Sequence, residues 1–324
     1  MDWIVDTHCD VLNAIEEQGR DFARRGEVGH ADLPRLVESG MRLEFFSCYL
    51  PSEYKPERAL SQQLAILDRF WRVVGDDRAH FRPVRTRADV LALDTDPRIG
   101  ALPSLEGAEA VVSLPVLRTF FRLGVRCIAL TWNERNHLAD GVGVEAGGGG
   151  LTPLGVEVVR EMERLGILFD VSHLHPRGFW HYLEVSSRPF IASHSNAKAL
   201  CGHRRNLDDD QIRAIAARGG SIGLNFAPAF VRDGGGPEVT LEHVIDHAEH
   251  ILSLVGDAHV HIGSDFDGID STPVGLEDVT RLGALAEGMR RRGWGEGTVR
   301  RIMGENMRRI LLEVLPEETD AEST

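Results

Sequence analysis

Cysteine is scarce in this 324-residue chain: Cys9, Cys48, Cys127 and Cys201, with no CxxC pair among them. Scattered in this way they form no disulfide framework, and they read as buried thiols in a reducing compartment, the cytoplasm being the expected location. Positive charge is short as well. Lys and Arg number 36 against 50 Asp and Glu, a formal net charge of −14. Nucleic acid and anionic membranes both require a basic footprint, so neither is expected as a partner, although a local cationic pocket for a small anion is compatible with the balance. No apolar run reaches the ~18 residues that a membrane span needs. The opening Met1-Asp2-Trp3 has no basic stretch and leads straight into a strand, so no secretory signal is expected. Linkers rich in Gly, Ser or Pro are missing too, as are internal repeats. The expectation is one domain over residues 1–315, followed by an acidic, disordered tail at 316–324.

What is present is alternation. Short apolar runs at Ile4–Thr7, Leu43–Cys48, Ile99–Leu105, Arg126–Leu130, Leu168–Val171, Phe190–Ser193, Ser221–Asn225 and His261–Gly263 read as strands buried on both faces. Amphipathic helical patterns lie between them, among them Ala59–Val74, Leu154–Leu165, Asp208–Ala217, Leu241–Val255, Leu276–Arg291 and Gly297–Val314. About eight βα units in one chain point to an α/β protein, a (β/α)8 TIM-like barrel. An open doubly wound sheet is the competitor. Against it, no GxGxxG opens the first unit, and the polar residues gather at the ends of several strands.

Those strand ends carry the chemistry. The first ends in His8 and Asp10, the third in Glu106, the fifth in His173 with a rival in His175 two positions on, the sixth in His194, and the eighth in Asp265 and Asp267. In a barrel these ends share one rim. Residues i and i+2 of a strand point the same way, so His8 and Asp10 are expected to grip one ion together. Each residue alone has an ordinary structural reading: a satisfied polar strand end, a helix N-terminal acid for Glu106, a turn cap for Asp265 and Asp267. Their joint placement does not. Three imidazoles with Asp10 and Glu106 suit zinc or a similar divalent ion, and five ligands exceed what one catalytic zinc with an open position uses. Two ions sharing Glu106 would employ all five. A carboxylated lysine could bridge instead, but the two lysines, Lys55 and Lys198, sit at no strand end.

Other stretches are set aside. Gly141–Gly150 lacks the GK[ST] of a phosphate loop and reads as a flexible loop or lid. His243, His247 and His250 share a helix face, without HExxH, and read as packing or surface residues. Arg290–Arg292 reads as a solvated helix C-terminus. Arg204 and Arg205 follow the His194 strand; one of them could clamp a substrate carboxylate in bidentate fashion, or both could serve as caps and surface ion pairs.

Taken in order, "DTHCD", "HADLPRL", "SLEGAEA", "LTWN…LADG", "FDVSH", "ASHSNAKALCGHRRNLDDDQI", "IGSDFDG" and "PVGLEDV" resemble the membrane (renal) dipeptidase family of binuclear zinc peptidases, amidohydrolase-like barrels, through most of the chain. The resemblance implies a metal-dependent hydrolase that cleaves dipeptides, with tolerance of a D-residue at the C-terminal side left open. It implies two divalent ions, zinc foremost: His8 and Asp10 on one, His173 and His194 on the other, Glu106 bridging, with a bridging hydroxide as the nucleophile. It further assigns Arg205 to the substrate carboxylate and Asp265 to acid/base work. One position departs. Better-studied members have a histidine directly after "LT", near the reacting carbonyl; here it is Trp132, which puts efficiency and substrate range in question. His137, five residues on, is at the wrong spacing for a direct swap. Rival readings are a related hydrolase of N-acyl amino acids, lactams or small amides, and a catalytically silent zinc-binding scaffold. The sequence leaves a homodimer open.

Overall fold

The computed structural model describes residues 3–145 and 147–318. Nine strands make its sheet: β1 (Val5–Cys9), β2 (Leu43–Tyr49), β3 (Phe81–Pro83), β4 (Ile99–Glu106), β5 (Cys127–Ala129), β6 (Leu168–Asp170), β7 (Ile191–Ala192), β8 (Ser221–Leu224) and β9 (Val260–Ile262). The hydrogen-bonded order is β2-β1-β9-β8-β7-β6-β5-β4-β3, and β2 also pairs with β4. That pairing closes a parallel (β/α)8 barrel, the expected class. The short β3 is an addition. It pairs with Ile99–Ala101 at the start of β4, whose end, Ser104–Glu106, pairs with β5. Three residues with a terminal proline leave no apolar run to read, so sequence patterning passes over it.

Contacts in space group the residues into two compact units, each discontinuous in sequence, one running to Phe46 and resuming at Ala192–Arg309, the other comprising Ser47–Ile191 and the described residues from Ile310. In the first, the interior is close-packed around backbone. A Cβ on Gly223 would lie 1.8 Å from the carbonyl oxygen of Ser193, and one on Gly263 would lie 1.7 Å from the same atom. No side chain fits there. Gly223→Ala is expected to destabilise by about 1–3 kcal/mol or more, seen as a fall of several degrees in Tm; an unchanged Tm would contradict this packing. Beside these glycines, His261 is fully buried and bonded to hydroxyls on both nitrogens: Nδ1 to Ser221 Oγ at 2.8 Å and Nε2 to Thr7 Oγ1 at 3.1 Å. Burial pushes its pKa down to about 3, so it is neutral.

The second unit packs helices Ala59–Phe70, Leu114–Arg122, Pro153–Leu165 and Pro176–Val185 around β4 to β6. An aromatic cluster fills part of its core, with Phe169 stacked on Tyr182 at 3.9 Å and Phe190 edge-on to Tyr182 at 4.9 Å. The helices begin where the sequence supplies caps. Thr152 accepts the Gly155 N–H ahead of Pro153, and that helix stops at Gly166 in the left-handed conformation. In the first unit, Asp208 and Gln211 form a capping box, so Asp208 is the cap and the helix is Asp209–Ala217.

Two expected helices are broken. Over 276–291, Asp278 caps a short 3-10 turn, Val279–Arg281, before Leu282–Arg291. Over 297–314, Glu296–Arg300 and Asn306–Val314 are separated by a π turn in which Gly304 leaves helical geometry. Of the tail expected at 316–324, residues 319–324 lie outside the described residues, while the Pro316 carbonyl accepts the Arg87 N–H at 2.9 Å. No described helix is long and apolar enough to cross a membrane.

Candidate metal centre

His8 is the penultimate residue of β1, and Asp10 lies just past its end, where φ −90° and ψ 20° turn the chain into the helix Val11–Glu17. His8 Nε2 is 3.3 Å from Asp10 Oδ2. The two side chains meet as expected, but for a different reason. The strand is irregular between Asp6 and Cys9 in its pairing with β2, and Asp10 has left it, so a bend rather than strand alternation brings them together. Glu106 closes β4. Its Oε2 accepts from Ser47 Oγ at 3.1 Å, and its Oε1 stands 3.0 Å from His173 Nε2. His194 follows β7 by two residues; its Nδ1 is 2.7 Å from Ser193 Oγ, and its ring lies 3.7 Å from that of His8. Asp265 follows β9 by three, with Oδ2 accepting from Asn225 Nδ2 at 2.8 Å.

The ligand atoms gather into overlapping groups, each within 4.8 Å: His8 with Asp10 and Glu106; Glu106 with His173 and His194; His8 with His194 and Asp265. All six side chains are buried, at 9% exposure or less. The donor set fits a divalent cation. His173 Nδ1 is bonded to Asn133 Oδ1 at 2.9 Å, which places the proton there and turns the Nε2 lone pair to the Glu106 carboxylate. With His173 neutral, two acceptors would face each other at 3.0 Å, an arrangement that a cation between them favours. Backbone strain concentrates here too. Among the described residues, the non-glycine positions with positive φ are His173 (67°), Asp265 (66°) and Asp267 (64°). Such conformations cost on the order of 1–3 kcal/mol each and persist where the surroundings over-determine them. Asp267 belongs to none of these ligand groups: it pairs with Arg20 at 2.7 Å and accepts the His30 N–H at 2.6 Å, tying down the segment after β1.

The two arginines part company. Arg204 is exposed. Arg205 is 5% exposed, with Nη2 donating to the His194 carbonyl at 3.1 Å and the guanidinium 5.8 Å from the Phe230 ring. Trp132 is half-buried, 5.9 Å from the His173 ring and 5.2 Å from Tyr49. Lys55 Nζ sits 5.3 Å over its indole and pairs with Glu134 at 2.7 Å and Glu109 at 3.3 Å. Burial pushes the Glu109 carboxyl up, against the pull of Lys55. His137 does not stand in for the missing imidazole: it is exposed and its Nε2 bonds the Val111 carbonyl at 2.9 Å.

Neither lysine is a bridge, since Lys55 is ion-paired and Lys198 exposed. The three helical histidines are spent separately. His247 accepts the Ala197 N–H and bonds the Val231 carbonyl; His243 caps its own helix; His250 pairs with Asp209. Arg292 is not a freely solvated terminus, being bonded to Glu242, Asp246 and Glu249. Sequence reasoning passed over Asn133 and Asn225. The signal was weak but present: Asn225 ends one of the three strand runs that offered no ligand, and Asn133 adjoins Trp132.

The family model for membrane dipeptidase (peptidase family M19) matches residues 2–323. Dipeptidase verJ of Clonostachys rogersoniana is 33% identical over 306 residues, covering 89% of this chain and 76% of that protein. The crystal structure of dipeptidase AC, a metallopeptidase, superposes with a TM-score of 0.91 at 34% identity, over 97% of this chain and 99% of that one. A metallopeptidase of Rhodobacter sphaeroides, liganded with a phosphinate mimic of the dipeptide L-Ala-D-Ala, does so with the same TM-score of 0.91 at 32% identity and the same coverage, 97% and 99%.

Proposed function

The chain belongs to the membrane dipeptidase family and is a metal-dependent dipeptidase, and from that premise we propose how its own side chains divide the work. His8 and Asp10 would hold one divalent ion, His173 and His194 a second, and Glu106 would serve both, with zinc as the native metal. The observation that carries this reading is the membership of Glu106 in two of the three ligand groups. Divalent ions held there supply Lewis acidity and bring the pKa of water towards neutrality.

The remaining work belongs to the protein. Asp265 takes the proton of the attacking water and returns it to the leaving amine. The Asn225 amide, donating to Oδ2, keeps that carboxylate turned to its task and favours its charged form. Arg205 binds the free carboxylate of the substrate. Because its guanidinium is fastened to the His194 carbonyl, the carboxylate it binds is held at a fixed place relative to the ligand His194, which favours short substrates. Trp132 lines the substrate pocket as an apolar wall beside His173, with only an indole N–H to offer a carbonyl. The phosphinate-bound relative supports extending the substrate class to dipeptides with a D-residue at the C-terminal side. Cys9, Cys48, Cys127 and Cys201, all buried and outside any disulfide, support a cytoplasmic location.

Metal analysis joined to a screen of L,L and L,D dipeptides on one preparation tests the proposal; fully metallated protein that cleaves nothing in the panel would sink it. Arg205→Ala is expected to lower kcat/KM chiefly through KM. Losing a buried charge pair costs about 2–5 kcal/mol, or about 30- to 5,000-fold. Dipeptide amides, which lack the carboxylate, should be poor substrates of the wild type and lose little further in the variant. Equal losses on free and amidated dipeptides would remove Arg205 from this role.

A further inference from the structure

We infer that Asn133 is a positioning residue that sets the ring of His173, and through it the affinity for the ion His173 would hold; the inference rests on the metal reading above. The backbone of His173 has φ 67°, a conformation uncommon for histidine. Its carbonyl accepts the Val142 N–H at 2.7 Å and the Thr131 hydroxyl at 3.3 Å. The ring is directed separately, by Asn133 Oδ1 at 2.9 Å from Nδ1. A neutral imidazole carries one proton, and the partner of one nitrogen decides the state of the other. An amide oxygen at Nδ1 draws the proton there and leaves Nε2 as a lone pair, aimed at Glu106 Oε1 across 3.0 Å.

Asn133 is itself held from behind. Its carbonyl accepts the Gly143 N–H at 2.8 Å. A Cβ on Gly141 would fall 2.2 Å from the Trp132 oxygen and 2.4 Å from the Asn133 carbonyl carbon, so only glycine lets the loop lie this close. One loop therefore braces Asn133 through Gly141 and Gly143, and bonds the His173 carbonyl through Val142. Within the stretch expected as a flexible loop or lid, Gly141–Gly143 form a strap that gives the imidazole one tautomer and one direction. Partners of this kind outside the ligand set change metal affinity by about 10–100-fold when removed.

The test is a cobalt(II) titration of the chelator-stripped full chain, read by the visible absorption of bound cobalt and by competition with a chelator. Asn133→Asp keeps an acceptor oxygen in place; Asn133→Leu keeps the volume and removes it; Asn133→Ala removes it while sparing the backbone bond to Gly143. The leucine and alanine variants are expected to weaken one bound equivalent by about 10–100-fold and to change its spectrum, with the aspartate variant near wild type. Wild-type affinity in Asn133→Ala would overturn the assignment. So would an aspartate variant as weak as the alanine one. Using both Leu and Ala keeps a folding defect in either from deciding the outcome. Wild-type protein that binds no cobalt would overturn both this assignment and the site on which it rests.

Discussion

Glu106→Gln is expected to lower kcat/KM by about a thousandfold or more and to leave the protein unable to hold its full metal complement. Glutamine keeps the shape of glutamate and can keep the bond from Ser47 Oγ, so the change isolates charge. That charge matters because two of the three ligand groups include this carboxylate. The stabilisation that metal ions give a developing charge amounts to several kcal/mol, and each tenfold in rate is about 1.4 kcal/mol. Folding should not suffer. In chelator, with no ions present, the variant has shed a carboxylate buried beside Asp10 and three imidazoles, and relief of that desolvation predicts a melting temperature equal to or above that of the wild type. Kinetics, metal content after dialysis and a thermal melt in chelator separate the possibilities. A glutamine variant within tenfold of wild type and fully metallated would remove Glu106 from the shared position.

Asp265→Asn should behave differently: kcat falls by about 10²–10⁴, while KM and metal content stay near wild type. Two features make this a clean substitution. Asparagine tolerates positive φ well, so the 66° backbone is retained. Its amide oxygen can also accept the bond that Asn225 now donates to Asp265 Oδ2. What disappears is the ability to carry a proton. A variant that instead loses metal would make Asp265 a ligand, in keeping with its closeness to His8 and His194, and a variant with undiminished kcat would remove it from the chemistry.

The eight barrel strands were legible because a strand buried on both faces leaves a continuous apolar run, and β4, buried along all eight residues, is the clearest case. The residues that gather at the rim were legible because each follows such a run directly. The reason offered for the first pair was not sound. His8 and Asp10 were placed together by strand alternation, yet Asp10 has already left the strand, and it is the turn into Val11–Glu17 that returns its carboxylate to His8. Helix interruptions were invisible for a similar reason. The apolar period runs on through Gly304, where a Cβ would collide with the Trp3 carbonyl, a contact some three hundred residues away in sequence. The choice between Arg204 and Arg205 was also undecidable from residue type, since both are arginine and only burial against His194 distinguishes them.

The sequence by itself determined the class of the fold and which side chains can bind a metal, because periodicity and residue chemistry are local properties of the chain. Tertiary structure alone decided orientation: which nitrogen of His173 bears its proton, which arginine lies against the His194 carbonyl, and how the Asp265 carboxylate is held by Asn225. Those outcomes depend on contacts between residues 11 to 40 positions apart. A hydrogen bond acts only over about 3 Å, so its direction is settled once folding has brought donor and acceptor together.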